Sequence, residues 1–298
     1  MAVMCSCSSD ETTHNGIKIV CTAFPQYDYV KNILGTTEGL TLLLDNGADL
    51  HSYEPTATDI IEIASSDLFI YIGGVSDSWV EGAIKSANSE SLKTVVLMDM
   101  VETYEVDYVA GMEKEEHHHE SEHEKDEHIW LSLRNSAEIT RNLCEMICEI
   151  DEANAEKYRA NAEKYIDSLN RLDSEYKSVI DGAKRNVLLF ADRFPFRYLI
   201  EDYNLEYHAA FSGCSSESEA SFQTMAFLID KTNTLSLPAV IIMENSDGSI
   251  AEMICRETGV KTLTLDSCQS VSSSDIDNGT TYLGIMQNNL EILKEALN

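Results

Sequence analysis

The amino-acid sequence predicts an α/β protein of two βα lobes, each a parallel-rich sheet flanked by helices, joined by a long rigid linking helix. Three observations carry that prediction. Short apolar runs alternate with helical stretches between residues 17 and 97, the rhythm of βα units around a parallel sheet. A stretch from Glu152 to about Gly182 keeps a 3.6-residue apolar period. The βα rhythm then resumes at Val187.

Taken in order, residues 1–16 are a polar leader. Ile17-Lys-Ile-Val-Cys-Thr reads as a buried strand, followed by a helix from about Pro25 to Leu34. A strand from Leu40 to Leu44 runs into Asp45-Asn-Gly-Ala-Asp, which is loop chemistry. Thr56 or Thr58 can cap a helix over 56–65. Leu68–Ile72 and Thr94–Leu97 are short strands, with a helical stretch between them beginning near Asp77. Residues 113–128 contain no apolar residue and read as a solvated loop. Helical periodicity covers Asn135–Ile150. In the next stretch Ala155, Tyr158, Ala162, Tyr165, Leu169, Leu172, Tyr176 and Val179 recur at three- and four-residue steps. A helix of roughly 28 residues is about 40 Å long, too long for a crossover within one compact sheet and suited to a spine. Beyond it come strands at Val187–Ala191, Glu206–Phe211, Ala239–Met243 and Lys261–Leu265, with helices at Phe196–Tyr203, 221–234, 249–258 and Tyr282–Leu297. The expected units are a leader 1–16, an N-terminal lobe 17–151, the linking helix 152–182 and a C-terminal lobe 183–298.

Composition narrows function. Fifty-two acidic residues against 21 basic ones leave a net charge of −31. Such a polyanion repels phosphate backbones and anionic lipid, which argues against nucleic acid as a partner, and it attracts cations. No apolar run approaches the length of a membrane span. The eight cysteines form no CxxC pair, and Cys144 and Cys148, four apart on a helical pattern, read as buried thiols. Near the start, Ser6-Cys7 followed by a polar run resembles the end of a bacterial lipoprotein signal, with Cys7 as the acylated residue. The charged and apolar regions that precede such a site are absent from this sequence, which equally reads as a polar tail.

Ligands of open α/β sheets bind beyond the carboxyl ends of strands. That filter selects His51, Asp192, Glu244 and Asp266, each in a loop after a predicted strand, and His128 at the end of the acidic loop. Singly, each suits a loop histidine or a strand-end cap. Jointly, two imidazoles and carboxylates drawn from both halves suit Zn²⁺ or Mn²⁺ in an interlobe cleft, at distances of about 2.0–2.2 Å. His117, His118, His119 and His123 stand among seven acidic residues in 115–127. Such a segment would concentrate divalent cations and pass them to a tighter site. There is no GxSxG, P-loop or GxGxxG.

Gly47-Ala-Asp-Leu-His51-Ser-Tyr-Glu-Pro-Thr resembles the G-x-D-P-H-x-Y-E-P-T signature of the zinc- and manganese-binding lipoproteins that feed bacterial ABC transporters. Asp126-Glu-His128-Ile-Trp-Leu-Ser resembles their second histidine motif, which follows a His-rich loop in the zinc-specific members. Tyr158-Arg-Ala-Asn-Ala-Glu-Lys-Tyr165 is similar to their linking helix, and Tyr282-Leu-Gly-Ile-Met-Gln-Asn-Asn-Leu290 to their terminal helix. The resemblance covers residues 17–298 and implies a monomeric, lipid-anchored extracytoplasmic protein that takes metal into its cleft and delivers it to a membrane permease. By position it implies His51 and His128 as the first two ligands and Asp266 as the fourth. The third position falls by strict count on Arg193, whose guanidinium cannot ligate. Asp192 is the nearest competent donor if the backbone bulges by one residue, Glu244 is a reserve or outer-shell partner, and water could complete a three-ligand site. Three other readings stand beside zinc delivery. They are a manganese or iron carrier of the same fold, a metal-dependent hydrolase with Glu244 as base, and a metal buffer or adhesin that engages no permease.

Overall fold

The computed structural model describes residues 16–45, 50–89, 91–113, 124–213 and 219–298. In the N-terminal half, β1 (Ile19–Cys21), α1 (Phe24–Leu34), β2 (Leu40–Leu42), α2 (Ala57–Ser65), β3 (Leu68–Tyr71), α3 (Val80–Ala87) and β4 (Lys93–Val96) follow one another. Two long helices come next, α4 (Leu133–Ile150) and α5 (Ala155–Asp181). The C-terminal half contains β5 (Val187–Phe190), α6 (Arg197–Tyr203), β6 (Glu206–Ala209), α7 (Phe222–Thr234), β7 (Ala239–Met243), α8 (Ser249–Thr258), β8 (Lys261–Leu265), α9 (Ser273–Asp277) and α10 (Tyr282–Ala296).

The strands form two four-stranded sheets of matching topology, β2-β1-β3-β4 and β6-β5-β7-β8. All their pairings are parallel. In each sheet the order reverses beside its first strand, and that switch point is where an open α/β sheet leaves a crevice beyond its carboxyl edge. The expected strands fall within a few residues of the observed ones.

The apolar stripe of α5 buries Tyr158, Ala162, Tyr165, Leu169, Leu172 and Tyr176, and the helix packs on α4, α1 and α10. At 27 residues it spans about 40 Å. One continuous core runs from Ile19 and Phe69 of the first sheet through Leu143 and Leu169 of the long helices to Phe190 and Leu265 of the second. A smaller cluster around Leu189, Leu228, Val240 and Ile254 lies in the C-terminal half. The two lobes are therefore joined by buried apolar side chains as well as by α5.

Thr56, not Thr58, caps α2. Its hydroxyl accepts the Asp59 N–H at 3.3 Å while the Asp59 carboxylate accepts the Thr56 N–H at 2.7 Å, a reciprocal box that satisfies two otherwise orphaned donors. Two expectations need correction, and one element was not foreseen. The helix expected near Asp77 begins at Val80, because the Asp77 carboxylate accepts the Gly73 N–H at 2.8 Å and holds a turn instead. The short helix α9 carries no buried residue, so it has no apolar period to betray it, although Ser272 and Asp275 form its capping box. The segment 113–128 does not end as solvated loop, since Asp126, Glu127 and His128 are at most 3% exposed.

The spine carries a quantitative expectation. Leu169→Ala, at a position with no exposure, costs about 2–5 kcal/mol in urea unfolding. Asn170→Ala, one residue on and exposed, stays within about 0.5 kcal/mol.

Candidate metal site

The imidazoles are positioned by two short turns. His51 sits in a 3₁₀ turn, Leu50–Ser52, anchored by buried Leu50. His128 immediately precedes another, Ile129–Leu131, whose three residues are all buried. Their rings lie 5.3 Å apart, centroid to centroid.

Each ring is oriented through Nδ1. The His51 Nδ1 lies 2.7 Å from the Ser76 hydroxyl and 3.1 Å from the Glu127 carboxylate. Ser76 donates its hydroxyl hydrogen to Glu127 and its backbone N–H to the same carboxylate. With its one hydrogen given away, the Ser76 oxygen accepts from His51, which puts the ring proton on Nδ1 and the lone pair on Nε2. The His128 Nδ1 donates to Asp126 at 2.9 Å, and the same oxygen accepts the His128 N–H at 2.9 Å. The His128 Nε2 is buried and makes no hydrogen bond among the described residues. A buried imidazole lone pair without a donor is costly unless a cation meets it, and carboxylate behind the ring is the arrangement that metal-ligating histidines use.

Charge at this centre is tuned by opposing forces. Burial works to raise the Glu127 carboxyl, but the bond to His51, the charge of His128 and the Ser76 hydroxyl outweigh it and hold Glu127 below its usual range. Burial works to lower His128, and the Asp126 carboxylate with the Glu127 charge overcomes it, so His128 is raised. The cation of Arg193 acts on His128 in the opposite direction. Asp77, behind the same loop, is pushed up to about 7 by burial and by the charge of Glu127.

The second lobe presents its strand ends to the same region. At Gly213 a Cβ would stand 2.8 Å from the Phe194 carbonyl and 3.2 Å from the His128 ring, so the loop after β6 closes directly on that imidazole. Asp266, after β8, has one carboxylate oxygen accepting the Cys268 N–H at 2.7 Å, and burial raises its pKa. Glu244, after β7, accepts the Ser267 N–H at 2.8 Å and the Ser267 hydroxyl at 2.5 Å, and is pushed up to about 7 by burial and by the charge of Asp266. Asp192, expected as the third ligand, accepts the Arg193 N–H at 2.8 Å and the Met243 N–H at 3.1 Å. The second of these bonds ties the end of β5 to β7, while the first closes a local turn.

The structure brings His51 and His128 together and places carboxylates of the far lobe around Ser267. Among the described residues no three His, Cys, Asp or Glu side chains converge as a preassembled metal cage. The partners that the sequence reading missed are Ser76, Asp126 and Glu127. His117, His118, His119, His123 and Cys7 lie outside the described residues.

A family model described as "Zinc-uptake complex component A periplasmic" matches residues 19–296. The chain belongs to this zinc-uptake component A family. Members similar to it include the zinc-binding lipoprotein AdcA of Streptococcus pneumoniae, 28% identical over 98% of this chain. The high-affinity zinc uptake system protein ZnuA of Bacillus subtilis is 27% identical over 97% of this chain and 90% of its own length. The chain spans 58% of the AdcA length. Among solved structures, the Zn(II)-bound ZnuA-like domain of S. pneumoniae AdcA is 26% identical and superposes with a TM-score of 0.77, covering 94% of this chain and 98% of that one. The metal-dependent lipoprotein YcdH of B. subtilis, also 26% identical, gives 0.80 over 95% and 100%. Component A members of known structure thus share the two-lobed architecture.

The loop that holds Glu127 depends on Gly74. Its φ is +84° and a Cβ there would lie 2.6 Å from the Glu127 carboxylate. Gly74→Ala is expected to cost about 1–3 kcal/mol in urea unfolding. Gly82→Ala, in α3 with open space around it, is expected to stabilise by about 0.5–1 kcal/mol. Equal effects at the two positions would remove the steric role of Gly74.

Proposed function

We propose that this protein is the extracytoplasmic binding component that captures Zn²⁺ and delivers it to an ABC permease for import. The observation that carries the reading is the His51–His128 pair, each ring backed at Nδ1 by a carboxylate and so set to offer Nε2 to a cation. Family membership supplies the transport context.

In this reading Zn²⁺ is cargo. His51 and His128 grip it, and Asp266 supplies a carboxylate from the opposite lobe. Asp126 and Glu127 fix the tautomers and raise ring basicity. Imidazole ligation favours zinc over manganese, which prefers oxygen donors. Glu244, held by Ser267, and Asp192, held by two backbone amides, shape the far wall. No bond of the cargo is made or broken, so the role is binding rather than catalysis. The field of a −31 protein raises the local concentration of cations, and the histidines at 117, 118, 119 and 123 extend that capture. The protein acts as a monomer, held at the membrane only through a lipid on Cys7. Among the described residues no helix is long and apolar enough to cross a membrane.

Zinc at about a thousandfold excess over its Kd is expected to stabilise the wild type by about 4 kcal/mol. In His51→Ala/His128→Ala that shift, read by differential scanning calorimetry, disappears. A double variant stabilised as strongly as wild type defeats the assignment.

Affinity also depends on pH. The raised His128 contributes folding stability as imidazolium, fully present below the ordinary histidine pKa and lost as pH rises through the raised value. Zinc needs the neutral ring, so binding runs the opposite way. Chelator-competition titrations are expected to show affinity climbing from about pH 5.5 to about pH 8. A flat profile takes His128 out of the ligand set.

A further inference from the structure

We propose that Trp130 and Ser267 form a clamp across the cleft that sets the spacing between the His51–His128 pair and Asp266, making both of them positioning residues for metal capture. The inference rests on the metal reading above and adds to it two residues that touch no cargo.

The indole N–H of Trp130 donates to the Ser267 carbonyl at 2.8 Å, joining the turn after His128 to the loop after β8. Both ends are held. On the first side, the Trp130 carbonyl accepts the Tyr282 hydroxyl at 2.5 Å and the Ser136 hydroxyl at 3.2 Å, and the Trp130 ring lies 5.3 Å from that of His128. On the second side, Ser267 donates its N–H and hydroxyl to the two oxygens of Glu244. Its neighbour Asp266 exchanges two hydrogen bonds with the Asn289 side chain, at 2.9 Å and 2.7 Å. Trp130 is 2% exposed and Ser267 fully buried, so their bond is shielded from solvent.

The geometry orders the cleft as a row. The rings of His51, His128 and Trp130 adjoin at two successive centroid spacings of 5.3 Å, tilted by 58° and 60°, and the indole then reaches the peptide that follows Asp266. Ser267 also holds both oxygens of Glu244, while Asp266 accepts the Cys268 N–H through one oxygen and, in the metal reading, turns the other toward the cation. A ligand set split between two lobes works only if the lobes keep their spacing, and a misplacement of about 1 Å is enough to spoil a constellation of this kind. Trp130 and Ser267 hold that spacing by a direct bond.

The test uses Co²⁺ as a spectroscopic probe in the full chain. Trp130→Phe keeps the ring and removes the N–H. Its expected signature is an altered Co²⁺ d–d spectrum and metal dissociation about tenfold faster, the effect of leaving one buried carbonyl unpaired. Ser267→Ala keeps the carbonyl and releases one Glu244 oxygen, and is expected to change the same two readouts; it decides the matter if the tryptophan variant does not fold. The double variant is expected to lose no more than the worse single one, since both substitutions break one unit. A folded Trp130→Phe or Ser267→Ala protein with wild-type spectrum and exchange rate overturns the clamp, as does strict additivity. A wild-type Co²⁺ spectrum insensitive to His51→Ala instead defeats the metal site itself, and the clamp with it.

Discussion

The bond between each imidazole Nδ1 and a carboxylate supplied by Asp126-Glu-His128 is the constraint on which the rest of the centre depends. Adjacent residues serve different rings: Asp126 turns back onto His128, and Glu127 reaches across to His51. Two anionic carboxylates are thereby buried in a protein that already carries excess negative charge, a cost that charge-assisted hydrogen bonds to ring and backbone donors offset only in part. Under the proposed function a divalent cation at the Nε2 side completes the compensation, which is why a centre so anionic at its back reads as a cation receptor.

The fold delivers this centre by repetition. Two sheets with the same strand order, each reversing beside its first strand, turn their carboxyl edges toward a shared region. Tyr198 of α6 donates to the Asp126 carbonyl at 2.7 Å. Arg197 pairs with Asp107 at 3.0 Å, and the Glu113 N–H donates to the Ala210 carbonyl at 2.9 Å. The segments flanking the His-rich stretch are thus fastened to the lobe opposite the one that precedes them in sequence. Together with the continuous core, these bonds fasten the two lobes to each other.

Much of the architecture was legible because apolar period and strand length are local properties. The linking helix announced itself through eight apolar residues at helical steps, and most strands through short apolar runs. The histidines at 51 and 128 were legible as polar residues at loop ends, sharpened by the family signature around them. Glu127 and Asp126 were not. Embedded in a run of acidic residues, they looked solvated, and nothing in a one-dimensional charge count separates a carboxylate that faces water from one that backs a ring. Their position directly before His128 was the available signal. Asp192 carries a related ambiguity: a carboxylate at a strand end serves equally to ligate a metal or to accept backbone N–H groups, and here it accepts those of Arg193 and Met243. Ser76 follows two glycines at positive φ, a turn whose direction depends on backbone angles that residue identity does not reveal.

The chain contains two tryptophans, and both stand close to the histidine turns. Trp130 neighbours His128, and Trp79 meets Tyr53, two residues beyond His51, edge to face at 5.4 Å. Indole emission responds to nearby charge and to quenching by protonated imidazole. Under the proposed function the molecule therefore carries its own optical gauge of occupancy, since both indoles stand beside the two histidine turns.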